Sequence, residues 1–154
     1  MDHGAHHPAP AATWTSAARA TLHCLTGCAI GEVLGMVVGT AAGLSNAATV
    51  VLSIVLAFVV GYALTTRGVL RAGVGVRDAL KIALAADSVS IAVMEVVDNA
   101  VVVAVPGAMD AGLGDALFWG SLAGSLLLAF ALTTPVNRRL IARGKGHAVV
   151  HRFH

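Results

Sequence analysis

The sequence has few charged and few aromatic side chains. Lys, Arg, Asp and Glu make up 12% of its 154 residues and aromatic residues 5%, whereas about a quarter of the residues of a soluble domain are charged. This balance excludes a disordered chain, a coiled coil and a nucleic-acid-binding module, which would need a solvated basic face. Apolar residues instead reach 57%. The composition therefore predicts a protein of the lipid bilayer.

Cysteines and enzyme motifs are scarce as well. The two cysteines, Cys24 and Cys28, form neither a disulfide framework nor a redox C-x-x-C motif. There is no nucleophile elbow, P-loop or H-E-x-x-H motif, and no predicted strand precedes the glycines, as a dinucleotide fingerprint would require. We expect no enzyme and no nucleotide site, although a thiol oxidoreductase that uses the two cysteines stays open.

Four apolar stretches are long enough to cross a membrane as helices, which takes about 20 residues. They cover residues 21–43, 47–65, 82–105 and 116–135. Short turns follow the first and third spans, so we predict an all-α integral membrane four-helix bundle built of two helical hairpins. A polar segment with histidines (1–18) precedes the membrane domain (19–135), and a basic tail with histidines (136–154) follows it.

The basic residues predict the orientation of this bundle. All ten Lys and Arg residues lie before the first span, between the second and third, or after the fourth. The only charged residues in the loops on the other side are Asp110 and Asp115. By the positive-inside rule both termini are then cytoplasmic, and we expect the protein in the bacterial inner (cytoplasmic) membrane.

Apart from Tyr62, the ionisable and thiol side chains within the four spans lie on the first and third spans. Six of them are candidate metal ligands: Cys24, Cys28, Glu32, Asp87, Glu95 and Asp98. Ionisable groups within a bilayer usually face the bundle interior and mark ion pathways. Because these spans hold no Lys or Arg, protons or a metal ion must balance the carboxylates. We therefore predict a metal site between the two spans.

Helical periodicity places these candidates on one face of each span. On the first span they recur every four residues from Cys24, and on the third they fall within an arc of about 140°. At 1.5 Å of rise per residue, Glu32 and Glu95 come to a similar depth near the middle of the membrane. The other candidates except Asp98 form a shallower layer on the cytoplasmic side: Cys24, Cys28 and Asp87. Secondary candidates lie along the same faces or at the membrane boundary: His23, Met36, Ser88, Met94 and Asn99.

Beside the cysteines runs a row of glycines at every fourth position from Gly27 to Gly43. Small residues at this spacing allow the backbones of membrane helices to approach closely. We expect the third span to be the close partner of this glycine ladder, with the second span as its rival. The ladder also predicts a homo-oligomer, a dimer or larger.

The ligand types suit more than one cation. Sulfur selects soft or borderline ions such as Cu(I) and Zn(II), and carboxylates suit harder ones. We expect binding and translocation of a transition-metal cation, copper ahead of zinc or iron. The alternatives are a proton or alkali-cation channel or carrier that uses the same carboxylates, and a structural or accessory membrane subunit that transports nothing.

The carboxyl-terminal tail carries three further candidate ligands, His147, His151 and His154. A helix would place all three on one face, at a spacing able to chelate a transition metal. An ordinary solvated basic tail is the competing interpretation. The sequence does not decide between them.

Three runs of the sequence resemble a known family. They are HCLTGCAIGE (23–32), DSVSIAVMEVVDN (87–99) and GKGHAVVH (144–151). The chain resembles a bacterial four-span membrane family catalogued as a domain of unknown function, number 4396, over nearly all of its length after about residue 12. The resemblance implies a four-span fold and assigns no activity, substrate or site.

Overall fold

A computed structural model describes residues 12–143 of the chain. Within this range the chain forms four long helices joined by short connections. They are α1 (Trp14–Ala41), α2 (Asn46–Arg71), α3 (Val76–Ala104) and α4 (Ala116–Ala142), with a 3-10 turn (Ala108–Asp110) between the last two. The described residues contain no strand, and the predicted all-α fold of two helical hairpins is confirmed.

The first hairpin is defined by hydroxyl caps and one glycine. The Thr13 side chain accepts a hydrogen bond from the Ser16 amide at 3.1 Å, and α1 begins at Trp14, directly after Thr13. The Ser45 side chain accepts from the Ala48 amide at 3.3 Å at the start of α2. Between the helices Gly43 has a φ of +65°, a conformation that glycine adopts without steric cost.

Three of the four helices, α1, α2 and α4, are long and apolar enough to cross a membrane by length and composition. The third, α3, is 29 residues long but carries Asp87, Glu95 and Asp98 within a stretch of membrane-spanning length. Large apolar side chains cover the outside of the bundle, among them Val103 and Leu127, which are 72% and 73% exposed. This surface suits contact with lipid.

The helices extend beyond the predicted spans. Helix α1 begins at Trp14, within the polar segment 1–18, and α4 continues through Pro135 to Ala142. The two extensions meet, because the Arg138 guanidinium lies 4.6 Å from the centre of the Trp14 ring and donates to the Ala12 carbonyl at 3.2 Å. This contact ties the start of α1 to the end of α4.

The expectation that the glycine ladder packs against the third span is wrong, because its close partner is α2. A Cβ atom at Gly27 would lie 2.8 Å from the Gly61 Cα, and one at Gly31 would collide with the Ala57 backbone. Helix α2 offers small residues at the matching spacing of four, whereas α3 presents the larger Ile91 to Gly61. Small faces therefore pair with each other, and the polar stripe of α3 meets α1 across a wider gap.

This packing also changes the predicted route to a homo-oligomer. The ladder glycines from Gly27 to Gly39 are buried against α2, so they offer no surface to a second copy. The last one, Gly43, lies in the turn with nothing within 4 Å of an added Cβ. Oligomerisation stays a prediction and would have to use another face.

Candidate cation site

Three acidic side chains converge inside the bundle. One carboxylate oxygen from each of Glu32 on α1 and Glu95 and Asp98 on α3 lies within 4.8 Å of the other two. We call these residues the carboxylate triad. Glu95 and Asp98 are 5% and 2% exposed. They meet Glu32 because a spacing of three puts them on one face of α3, at the same depth as Glu32 on α1.

No positive side chain among residues 12–143 forms an ion pair with the triad. Within residues 12–143 the one ion pair joins Lys81 to Asp78, at 3.6 Å, and both side chains are exposed near the start of α3. All four carboxylate oxygens of Glu95 and Asp98 are buried without a hydrogen bond in this part of the chain. Burying such groups is costly unless a proton or a cation compensates them. The triad therefore has the chemistry of a cation or proton site.

A cavity of about 300 Å³ extends from the triad to one end of the bundle. Its outer end is formed by the loop before α2 and by the 3-10 turn, where the Asn46 amide donates to the Asp110 carboxylate at 2.8 Å. Its wall carries oxygen donors from every helix: Thr40, Ser53, Asn99, Ser121 and Ser125. The cavity thus connects the triad to this end of the bundle.

The hydroxyl groups of this wall were not among the predicted site residues. Ser121 and Ser125 lie four apart on the buried face of α4, which continues through Ala129 and Thr133. Ser125 neighbours Asp98 without a hydrogen bond of normal geometry. The signal in the sequence was this spacing of small and hydroxyl residues on an otherwise apolar span.

The other predicted ligands lie closer to the opposite end. The Cys24 thiol is 3.7 Å from the Asp87 carboxylate, and the Cys28 sulfur is 3.9 Å from the Met94 sulfur. Both cysteines are free and buried. The six candidates therefore separate into the carboxylate triad, a Cys24 and Asp87 pair, and Cys28 between them.

The helix register sets the spacing of these layers. Cys24 precedes Glu32 by eight residues and Asp87 precedes Glu95 by eight, so both steps span about 12 Å along the helix axis. Cys28 is halfway along the first step. The donors of α1 and α3 thus form matched layers. The layer at the cavity, which we call the outer layer, is the triad and offers oxygen atoms. The inner layers, farther from the cavity, offer mainly sulfur.

The secondary candidates take several positions. Met36 and Asn99 line the cavity, and the Asn99 amide donates to the Glu95 carbonyl at 2.8 Å. The His23 imidazole is 2.9 Å from the Thr65 hydroxyl, and Ser88 bonds Tyr62 of α2 at 2.9 Å, away from the triad. The tail candidates lie outside the described residues: His147, His151 and His154.

Comparison with protein families gives one match. The model of a family described as Domain of unknown function (DUF4396) matches residues 13–146, which include all four helices. No curated protein and no solved structure matches the chain. What the molecule does must therefore be inferred from the site itself.

Proposed function

Because the chain belongs to the DUF4396 family of unknown function, we propose its function from the site: it binds a transition-metal cation at the carboxylate triad and passes it across the membrane. One observation carries the proposal. Three carboxylates, two of them almost fully buried, meet within 4.8 Å with no cationic side chain paired to them among the described residues. A divalent cation supplies the missing charge.

The donors of each layer bear on which ion binds. At the triad they are oxygens, together with the amide of Asn99 and the hydroxyl of Ser125 nearby, and such a set suits Zn(II), Fe(II) or a harder divalent ion. Copper, the ion favoured by the sequence, requires sulfur in its Cu(I) state. That sulfur lies at Cys28, Met94 and Cys24, so the inner layers are where a softer ion would bind.

The membrane arrangement is part of the proposal. We infer that α3 crosses the bilayer together with α1, α2 and α4, because the three acidic residues in its middle are buried inside the bundle while Val96 and Val103 cover its outside. Both termini then lie in the cytoplasm, since the basic loop and ends are on one side. In this orientation the cavity opens on the side of the inner membrane that faces away from the cytoplasm.

Metal binding by the purified protein tests the function. Elemental analysis and titration with Zn(II), Fe(II), Mn(II) and Cu(I) should show saturable binding to the wild type. The Glu95→Gln, Asp98→Asn variant should bind at least about 100-fold more weakly, because residues that merely orient a ligand already contribute 10–100-fold. Flux of the bound ion into proteoliposomes should also be lower for this variant than for the wild type.

The matched control lies on the same helix. Asp78→Asn removes an exposed carboxylate of α3 and should leave binding unchanged. A Cys24→Ser, Cys28→Ser variant then separates the layers, since it should weaken Cu(I) binding and spare Zn(II). Equal binding by the wild type and the triad variant would overturn the proposal, and binding without flux would favour an accessory subunit.

A proton or alkali-cation pathway is the second candidate, favoured by one observation: no sulfur atom belongs to the triad. Carboxylate, hydroxyl and amide oxygens also suit protons and alkali ions. Proteoliposomes under a proton or sodium gradient would separate the two candidates. Flux of these ions that depends on Glu95 and Asp98, without saturable binding of a transition metal, would favour the second.

A further inference from the structure

The cavity that holds the triad reaches only one end of the bundle. Beyond the triad it is lined by Leu44 and Asn46 before and at the start of α2 and by residues 108–112 around the 3-10 turn. The connection between α2 and α3 (72–75) lies at the opposite end, where Arg67 and Arg71 of α2 and Arg77 of α3 flank it. We call the two ends the turn end and the arginine end.

Toward the arginine end the centre of the bundle is filled. Cys28, Ile91 and Met94 have no exposed surface, and they pack with Ala57 of α2 and Ala129 of α4. This layer borders the triad, because Cys28 precedes Glu32 by one helical turn, about 6 Å of axial rise, and its thiol lies beside the Glu95 carboxylate. None of the side chains of this layer lines the cavity. The structure thus has an open path on one side of the triad and a packed layer on the other.

Two features indicate that the open path receives water and cations. The Ser121 hydroxyl lines the cavity and is buried without a hydrogen-bond partner among the described residues, so it is free to bind a water molecule or a hydrated ion. At the outer end Asp110 adds an exposed carboxylate. A negative group at the mouth of a narrow cleft attracts cations and raises their local concentration.

We propose that cations reach the triad from the turn end, past Asp110 and along the Ser121 wall, while the layer of Cys28, Ile91 and Met94 closes the path to the arginine end. The inference rests on the proposed function, and it adds the side from which the site is loaded. It also assigns Asp110 as the residue that draws cations to the mouth. Transport then requires this packed layer to open.

Sided thiol labelling tests the path without any metal. Ser121→Cys and Met36→Cys place a thiol on the cavity wall, from α4 and α1. In oriented vesicles a membrane-impermeant methanethiosulfonate should label both from the turn end and neither from the arginine end. The matched controls are Thr133→Cys, buried on the same helix beyond the packed layer, and the wild type with its buried cysteines. Neither control should react.

The charge of the reagent tests the role of Asp110. A cationic methanethiosulfonate should label Ser121→Cys about tenfold faster than an anionic one, because a cleft lined by one sign of charge enriches the opposite ion. Asp110→Asn should remove most of this preference and leave the rate of a neutral reagent unchanged. Asp78→Asn, which removes an exposed carboxylate far from the mouth, should leave the labelling rates of all three reagents unchanged.

Adding Mn(II) separates this inference from the proposed function. Labelling of Ser121→Cys that Mn(II) slows supports both, and labelling that no tested divalent ion slows supports the path but counts against the metal site. Labelling from the arginine end, or a rate no higher than that of Thr133→Cys in both cavity variants, would overturn the inference. Equal labelling rates for the two charged reagents would show that Asp110 does not attract cations to the mouth, and this part of the inference would be wrong.

Discussion

The half of the bundle at the turn end and the half at the arginine end use the same four helices but pack differently. At the turn end all four helices enclose a cavity whose wall carries carboxylates and hydroxyls. At the arginine end the interior is closed by Ile91, Met94 and small residues. The ladder glycines keep α1 against α2 along both halves. The cavity therefore comes from the side chains that α3 and α4 point inward.

The main polar cluster of each half differs in its hydrogen bonding. At the arginine end the Asn137 amide donates to Thr21 at 2.9 Å, and Ser90 donates to Asn137, so three helices share one closed network. At the turn end the oxygens of Glu95 and Asp98 have no hydrogen bond within the described range. A buried polar group without a partner calls for an explanation such as a bound water or ion, and the Thr66 and Thr133 hydroxyls toward the arginine end also lack a partner among the described residues.

The largest expected effect separates the packed half from the cavity half. Ile91→Ala should lower the free energy of unfolding by about 2–5 kcal/mol, because it opens a void in a layer with no exposed surface. Met36→Ala, on the cavity wall, should cost well under half of that. Unfolding by sodium dodecyl sulfate in mixed micelles measures both. Equal losses would mean that the two halves are packed alike.

Ligand binding should stabilise through the cavity half alone. With the bound divalent ion at about 100 times its Kd, the wild type should gain about 2.7 kcal/mol in free energy of unfolding. Glu95→Gln, Asp98→Asn should gain nothing from the ion. Ser90→Ala, which alters the arginine end, should keep the full gain in the same titration. A gain that survives in the triad variant would place the ion elsewhere.

Substitution in the glycine ladder tests whether the first hairpin is the common support of both halves. Gly31→Val should cost about 1–3 kcal/mol or more, because the new side chain would enter the space of the Ala57 backbone. Gly124→Val on α4 is the matched control, since nothing lies within 4 Å of an added Cβ there. A thermal unfolding scan in detergent compares the pair. Similar midpoints would contradict the contact.

The smallest effect concerns the closed polar network. Asn137→Ala should cost about 1 kcal/mol, the usual scale for hydrogen bonds between membrane helices, and should leave metal affinity unchanged. Thr26→Ala removes an exposed hydroxyl that bonds only within its own helix and serves as the reference. Denaturant titration of both variants measures the difference. A large loss of metal affinity in Asn137→Ala would couple the two halves.

The sequence predicted the helices and the depth of Glu32 relative to Glu95, because both follow from hydropathy and from helical rise. It did not predict the partner of the glycine ladder. A ladder of small residues indicates that another helix packs closely against it. Which helix does so depends on the size of the opposing residues, such as Gly61 on α2 and Ile91 on α3. Side-chain size across an interface is a property of pairs of helices.

The site was predicted in part for a similar reason. The sequence named all three triad residues and placed Cys24, Cys28 and Asp87 in a shallower layer of the same predicted site, but it did not show which side chains meet. A periodic stripe shows which residues share a face, but eight residues of helix separate its ends by about 12 Å. The cavity and the hydroxyl groups of Ser121 and Ser125 belong to the space between helices, which periodicity along one helix does not describe.

The amino-acid order alone settled that this chain forms apolar helices in two hairpins with acidic groups on two of them, since these properties are local and follow from composition and period. Only the tertiary structure decided which carboxylates meet, which end of the bundle holds a cavity, and which is closed. Those outcomes depend on how the volumes of side chains from different helices fill one shared interior, and no single stretch of sequence contains that information.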